Sequence, residues 1–478
     1  MLAVLLASIV TFFVVLEKTR MLAGKYLLVV GILLLALFAI VTALILAFGK
    51  KHLPWAGIAV ALVLTAGMIF GSVAGIRGIN TLKAITSPAA PASHIGVYVR
   101  SDDTAQTLND LSDRTFGLLS LMGRERVDGS VANIEDQLSV TIRTLEFSNT
   151  AQLLDALFNG SVGAMVMDTS YLEGLEQVEE YADVRSRVRE ITNMNVAGGA
   201  DPTPAPADQA NKHVYTIYIS GIDSRHGFVR SSLSDVNIAV VVNLQTHQAL
   251  MISTPRDYYV PIGHEGIQDK LTHAGWYGLD VAMETVGNIY DIDFDYYFRV
   301  NFEGFKEIID ALGGITVKSK YDFTSNIGNY HFVEGENTLD GERALAFVRE
   351  RKAFADGDRQ RGENQMLVIR AIINKVMSPE LLVRYSSLLQ AAQGNFATSV
   401  PYSLIASTIR DQLDDVSDWN IVSYSVNGTD SHNNSPVLGE NVYVMEPDWE
   451  TVEVAKQLIA QMRNDEIITD PDTAAGGQ

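Results

Sequence analysis

The sequence predicts an α/β protein in which a mixed central sheet is flanked by helices, preceded by a small α/β unit and by N-terminal transmembrane helices. Three observations carry this reading. Strand-like runs such as Val214 to Ser220 and Val236 to Asn243 alternate with amphipathic stretches such as Leu279 to Tyr290. The segment Ala197 to Ala210 (AGGADPTPAPADQA) is rich in Gly, Pro and Ala and separates two soluble parts. Three nearly uncharged apolar runs fill the first 80 residues.

At 478 residues the chain exceeds one ordinary domain, and its length fits two soluble domains plus an extra segment. A net charge of −21 and a pI near 4.8 argue against nucleic acid as the main partner, because phosphate-backbone binding wants a basic surface. A local basic pocket stays open. With no cysteine, a disulfide framework and a thiolate metal site are both excluded. That suits an exported domain that must not misoxidise.

The apolar runs cover residues 2–16, 26–49 and 55–76. A helix needs about 20 residues to cross ~30 Å of hydrocarbon, so the second and third are long enough and the first is short. The first also opens at Met1 without a polar leader, and is expected to be the later part of a longer helix whose basic cytoplasmic leader is missing. Residues 1–80 are therefore expected to form a multi-pass anchor of about three helices, with a cleaved signal peptide as the alternative. Three spans from a cytoplasmic start leave the bulk of the chain outside. Lys50 and Lys51 fit that topology, whereas Lys18, Arg20 and Lys25 do not.

Residues 94–197 read as a small α/β accessory domain. His94 to Arg100 alternates like a strand, and Leu108, Leu111, Leu118, Leu119 and Leu121 recur like a helix. Val140 to Leu145 reads as strand, Ala151 to Leu157 as helix and Ala164 to Met167 as a short buried strand. No catalytic constellation is visible there; Asp102 and Asp103 suit a solvated turn. A linker over 198–212, a main domain over 213–465 and a flexible tail over 466–478 complete the expected organisation.

In the main domain, Val214 to Ser220, Val236 to Asn243 and Ala249 to Thr254 read as strands, the last two joined by a hairpin-like turn. Helix is expected from Leu279 to Tyr290, strand from Tyr296 to Asn301, and helix from Phe302 to Leu312, stopped by Gly313-Gly314. Asp340 is a good N-cap for a helix through Val348, and Asn364 to Val376 reads as another helix.

Charged residues gather at the ends of these elements. Arg256 and Asp257 follow the strand that stops at Pro255, where ligands of α/β proteins usually bind. Asp223 and Asp235 lie twelve residues apart, one after a strand and one before the next, a spacing that can bring two carboxylates to one sheet end as a hard divalent cation requires. The plainer reading is that each caps a turn. A denser block runs Arg349-Glu350-Arg351-Lys352, then Asp356 to Arg361, then Asn364-Gln365. Charge runs are usually solvated helix faces. Here an apolar helix end anchors Arg349 and Arg351, and Gly357 lets a second set of arginines turn back. Arginine is preferred where oxyanions are gripped by planar donors. His273 is a general-base candidate, although a neutral hydrogen-bonded histidine is the commoner case. Phosphate-loop, serine-hydrolase and zinc-protease motifs are absent.

With these residues assembled, the stretch from about 214 to 376 resembles the LytR-CpsA-Psr family of cell-envelope glycopolymer transferases. The matching text is Gly221-Ile222-Asp223, Ser234-Asp235-Val236-Asn237, Ser253-Thr254-Pro255-Arg256-Asp257, Asp269-Lys270-Leu271-Thr272-His273-Ala274, Phe347-Val348-Arg349-Glu350-Arg351, and Gly357 to Arg361 with Asn364-Gln365. The membrane region and extra domain further resemble the streptococcal capsule branch, often called CpsA. The resemblance implies catalytic and accessory domains outside a Gram-positive cell membrane. It implies a polyprenyl pyrophosphate bound with Mg²⁺ (or Mn²⁺), and transfer of its glycan, such as a capsular polysaccharide, to peptidoglycan through a phosphodiester. Other capsule assembly proteins are implied partners.

Carried over by position, Asp223 and Asp235 match metal-associated aspartates. Arg256, Arg349, Arg351 and Arg361 match arginines around the pyrophosphate, Gln365 matches a polar residue near the head group, and Lys270 joins the substrate-binding set. Catalytic roles fall to Arg256, Asp235, Arg349 and Arg351, with Asp235 and Asp257 as base candidates. Relatives commonly carry Arg before the Ser-Asp pair, whereas Leu233 stands here and Arg230 is out of register. Hydrolysis of the same lipid, or a non-enzymatic lipid-binding subunit regulating capsule assembly, are the rival expectations.

Overall fold

A computed structural model of the chain describes residues 1–19, 24–47, 54–85, 93–176, 178–196, 212–222, 232–263, 266–354, 357–376, 396–414 and 417–469. All but the last residue of the expected linker and most of the expected tail lie outside these residues, as do Asp223 and Arg230.

The three apolar runs are helices Leu2–Thr19, Gly24–Ala47 and Pro54–Ile85. Two stretches, Gly24–Leu46 and Gly57–Arg77, are long and apolar enough to cross a membrane. The uncharged part of the first helix ends at Leu16. That helix packs on the third, where small residues let the two approach: a Cβ at Gly71 would come 2.7 Å from the Phe12 ring.

The accessory unit is a five-stranded sheet in the order Arg143–Phe147, Thr115–Leu119, Ala164–Asp168, Ser93–Arg100 and Val188–Val196. The helical pattern read at Leu118, Leu119 and Leu121 is corrected here. Thr115–Leu119 is a strand between two parallel neighbours, followed by a single 3-10 turn at Ser120–Met122. A strand covered on both faces is a continuous apolar run, and periodicity cannot separate it from buried helix. The strand expected at Val140 to Leu145 lies at Arg143–Phe147. Helix Arg124–Leu138 went unrecognised because its buried side includes Arg126 and Ser130 beside Val127 and Ile134, which blurs the apolar stripe. Helix Thr150–Phe158 is as expected, with Asn149 capping it by accepting from Gln152 N.

The main domain holds a six-stranded mixed sheet in the order Phe396–Thr398, Tyr296–Asn301, Val214–Ile222, Ser234–Asn243, Gln248–Thr254 and Asn420–Ser425. The hairpin is present, with Asn243 opposite Gln248. Tyr296–Asn301 and Asn420–Ser425 run parallel to their inner neighbours. Alternation divides the sheet: Ala239, Val241, Leu250 and Ile252 pack under helices Leu279–Tyr290 and Trp449–Arg463, whereas Ile238, Val240 and Met251 face helix Asp358–Val376. Helix Asp358–Val376 starts six residues before its expected onset at Asn364, because its first turns are charged and show no apolar period. Asp340 caps helix Gly341–Arg349 as expected, accepting from Arg343 N at 2.9 Å.

The two soluble units share one core. Leu233, Trp276, Val437, Leu438, Val442 and Val444 belong to the same buried cluster as the accessory sheet. Thr150 N and Ala151 N donate to the carbonyls of Val437 and Leu438 at 2.9 and 3.2 Å. The Tyr171 and Trp276 rings stack at 4.9 Å, and Trp276 stacks in turn on His273 at 4.2 Å. Trp276→Ala is expected to cost about 3–5 kcal/mol, the usual range for emptying a large aromatic site. Denaturant unfolding should record that loss, and limited proteolysis should release the 93–196 unit; unchanged proteolysis would contradict this account of the junction.

Candidate active site

The strand Gln248–Thr254 ends because Pro255 has no N–H to continue the ladder. Arg256 therefore emerges at the sheet end, its carbonyl held by Thr272 N at 2.8 Å. Its Nη1 donates to Asp235 Oδ1 at 2.7 Å, and its Nε lies 3.7 Å from Asp257 Oδ2. Lys270 Nζ pairs with the other Asp257 oxygen at 2.7 Å. The four side chains make a chain of alternating charge, Asp235, Arg256, Asp257, Lys270, in which Asp257 and Lys270 are buried and Asp235 is partly open to solvent.

Asp235 is the second residue of its strand, whose start is fixed by polar contacts. Asn237 Nδ2 donates to Ser234 O at 2.9 Å, and the Tyr218 hydroxyl donates to Asn237 Oδ1 at 2.5 Å. Gly275 lets residues 232–234 pass directly over it: a Cβ there would come 2.1 Å from Ser232 O. Leu233 is 5 % exposed and lies in the core shared with the accessory unit. An arginine at this position would bring its charge under that unit.

The downstream block arrives from helix Gly341–Arg349 and helix Asp358–Val376. Arg349 sits 4.2 Å over the Phe302 ring. Glu350 holds the intervening loop, its Oε1 accepting from Asn326 Nδ2, Arg351 N and Ala353 N at 3.0, 3.1 and 2.9 Å. Asn364 Nδ2 donates to Phe347 O at 3.3 Å, tying the two helices together. Arg361, 9 % exposed, then faces the same space as Arg349, with Gln365 one turn on and its Nε2 3.5 Å from Val348 O. Arg351 and Lys352 are exposed at the rim. Gly357, at φ +46°, makes the turn that the sequence suggested.

Burial would raise the Asp235 carboxyl, but the guanidiniums of Arg256, Arg361 and Arg349 outweigh it and hold the group below its ordinary range. Asp257 behaves alike: burial is opposed by Lys270, Arg256 and Arg361, and the carboxyl ends up lowered. Three arginines thus converge on Asp235. His273 is buried, with Nδ1 2.9 Å from Asp269 Oδ1 and its ring on Trp276, so it braces the two units. Ser435 Oγ donates to the second Asp269 oxygen at 3.0 Å.

All of the described candidates line one cavity of about 1210 Å³: Asp235, Arg256, Lys270, Arg349, Arg351, Arg361 and Gln365. Its remaining walls are largely apolar. Ile219, Val236, Phe298 and Val300 come from the sheet, Phe305 and Ile308 from helix Phe302–Ala311, and Ile369, Ile372 and Ile373 from helix Asp358–Val376. Glu176 and Arg185 of the accessory unit also reach it. The loop-holding role of Glu350 and the part played by the accessory residues could not be read from the sequence. The apolar chamber had a signal in the apolar stripe of Asp358–Val376; the accessory residues had none.

Among the described residues no group of three or more His, Asp or Glu could cage a metal ion. Asp235 is one ionised carboxylate at the charged end, which suits a Mg²⁺ that takes one or two carboxylates and completes its shell with waters and substrate phosphates.

The charged sheet end thus opens into a cavity whose other walls are largely apolar. The LytR_cpsA_psr family profile matches residues 173–459, and the chain belongs to that family. A polyisoprenyl-teichoic acid–peptidoglycan teichoic acid transferase TagU from Bacillus licheniformis is 35 % identical over 196 residues, 41 % of this chain and 63 % of its own. The namesake from Bacillus anthracis is 32 % identical over 237 residues, 48 % and 74 % of the two chains. The chain therefore spans less than two thirds of the Bacillus licheniformis relative. Among solved structures, Bacillus subtilis TagV is 28 % identical with a TM-score of 0.46, covering 54 % of this chain and all of that one. TagT bound to LI-WTA is 30 % identical with a TM-score of 0.43, covering 53 % and 91 %.

Lys270→Met would remove the ion-pair partner 2.7 Å from buried Asp257 and leave it only the guanidiniums of Arg256 and Arg361, and is expected to cost about 3–5 kcal/mol. Because the folded value of Asp257 is lowered, its contribution is present above the unfolded carboxylate value of about 3.9 and lost as pH falls through the folded value. Without Lys270 the acid limb should move to higher pH. Thermal midpoints of both proteins across pH 3 to 7, on the order of the carboxylate range, check this.

Proposed function

We propose that the protein transfers a glycopolymer from a polyprenyl-pyrophosphate carrier to peptidoglycan, forming a phosphodiester. The observation that carries the reading is the two-part cavity: arginines around Asp235 at one end and an apolar chamber behind. A pyrophosphate needs the first and a polyprenyl chain the second. The names of the teichoic acid transferases among its relatives support the same chemistry. The glycan is read as a capsular polysaccharide from the resemblance in sequence alone. The site would lie outside the cell, above a multi-pass anchor, with other capsule assembly proteins as partners.

The reaction is an in-line displacement. An acceptor hydroxyl attacks the phosphorus next to the sugar, a new P–O bond forms, the bond to the bridging oxygen breaks, and polyprenyl phosphate leaves with that oxygen, the hydroxyl's proton ending on the departing phosphate. Catalysis of such a step is mainly positioning and charge neutralisation. Arg256, Arg349 and Arg361 bind the phosphates; Arg351 at the rim and Lys270 behind Asp257 add positive potential. Gln365 supplies a neutral donor beside the head group. Asp235 orients Arg256 and keeps its own charge, so it is a weak base. Mg²⁺, or Mn²⁺, held by Asp235 and Asp223 would supply further neutralisation of the pyrophosphate.

Full-length protein in detergent, given polyprenyl-pyrophosphate glycan and peptidoglycan, tests the reading. Arg256→Ala should lower transfer by about 10²–10³-fold, the usual effect of removing one preorganised donor, and chelation followed by Mg²⁺ should abolish and restore it. Release of free glycan phosphate without transfer would make the protein a hydrolase; lipid binding with neither would make it a binding subunit. Ile369→Trp, which fills the chamber, should weaken a long-chain carrier by about tenfold and leave a short-chain soluble analogue unaffected.

A further inference from the structure

The accessory unit contributes directly to the cavity. Glu176, at the end of helix Thr169–Leu175, and Arg185, in the short helix Val184–Arg187, pair at 2.7 Å and both line it. Tyr443, 37 % exposed, lines it too. The charged band touches both neighbouring regions: Arg349 lies over Phe302 on the apolar side, and Lys270 Nζ lies 5.8 Å from the Tyr443 ring centroid on the other. Residues of both units thus line the one cavity that holds the arginines and the apolar side chains.

That wall is held in place. Gly174, two residues before Glu176, packs so closely on Trp276 that a Cβ would come 2.3 Å from its ring. Arg126 Nη2 donates to Trp276 O at 3.2 Å, and Leu438 and Val442 line the cavity while packing into the accessory core. A partly exposed ion pair contributes little to stability by itself, so stability gives no strong reason for one at this place.

A carboxylate accepts from hydroxyls, a guanidinium donates to them, and an aromatic face packs on a ring's C–H surface. Hydrocarbon would leave the pair unsolvated, and a second phosphate would be repelled by Glu176. We infer that Glu176, Arg185 and Tyr443 form a sugar subsite that reads the glycan unit attached to the pyrophosphate, so that the accessory unit sets donor specificity. This rests on the polyprenyl-pyrophosphate reading above.

The test measures binding to the full-length protein in nanodiscs with two probes, bare polyprenyl pyrophosphate and the same lipid carrying one N-acetylglucosamine. Wild type should prefer the glycosylated lipid. The double variant Glu176→Ala/Arg185→Ala should lose about tenfold or more for that probe and nothing for the bare lipid, with Tyr443→Ala acting in the same direction. Arg256→Ala should weaken both probes alike. Equal binding of the two probes by wild type, or equal loss of both in the double variant, overturns the sugar subsite while leaving the carrier reading intact. Failure of wild type to bind either probe overturns both.

Discussion

The ion pair between Arg256 and Asp235 is the constraint on which the site depends. Two charges at the closed end of a sheet are tolerable only if each is answered, because desolvating an unpaired ion costs several kcal/mol, as an order of magnitude. Here the answer is distributed. Asp235 has three arginines around it, Arg256 has two carboxylates, and Asp257 has Lys270 behind it. The result is a net positive pocket whose donors are already oriented before any ligand arrives.

Preorganisation extends outward through the backbone. Glu350 gathers amides of the loop that carries Arg351 and Lys352, while Asn364 anchors the helix that carries Arg361. These contacts hold two helices from a distant part of the chain against a strand end, so that their arginines meet Asp235 in one place. The same helix, Asp358–Val376, turns its apolar side to the sheet and so makes both the charged head region and a wall of the chamber.

The accessory unit is joined to this assembly by packing. Trp276 is the pin, held between Tyr171 of one unit and His273 of the other. His273, a base candidate by its motif, lines the cavity while its ring stacks on Trp276 and its Nδ1 lies 2.9 Å from Asp269 Oδ1, so it also braces the junction. Leu233 belongs to the same junction. A charge placed there would be buried under the second unit.

Much of the main domain was legible because its signals are local. Alternation marked the sheet strands, Pro255 marked the strand end that exposes Arg256, and Asp340 marked a helix start. The motifs that carry Asp235, Arg256, Arg349, Arg361 and Gln365 were readable for the same reason. Elements without a local signal were lost: Thr115–Leu119, apolar on both faces, and the charged first turns of Asp358–Val376. The sequence by itself determined which residue types sit at element ends, since caps, prolines and periodicity act over a few residues. Only the tertiary structure decided which of those ends meet, because pairing Arg256 with Asp235, or bringing Glu176 to the same cavity, depends on long-range packing that no short stretch encodes.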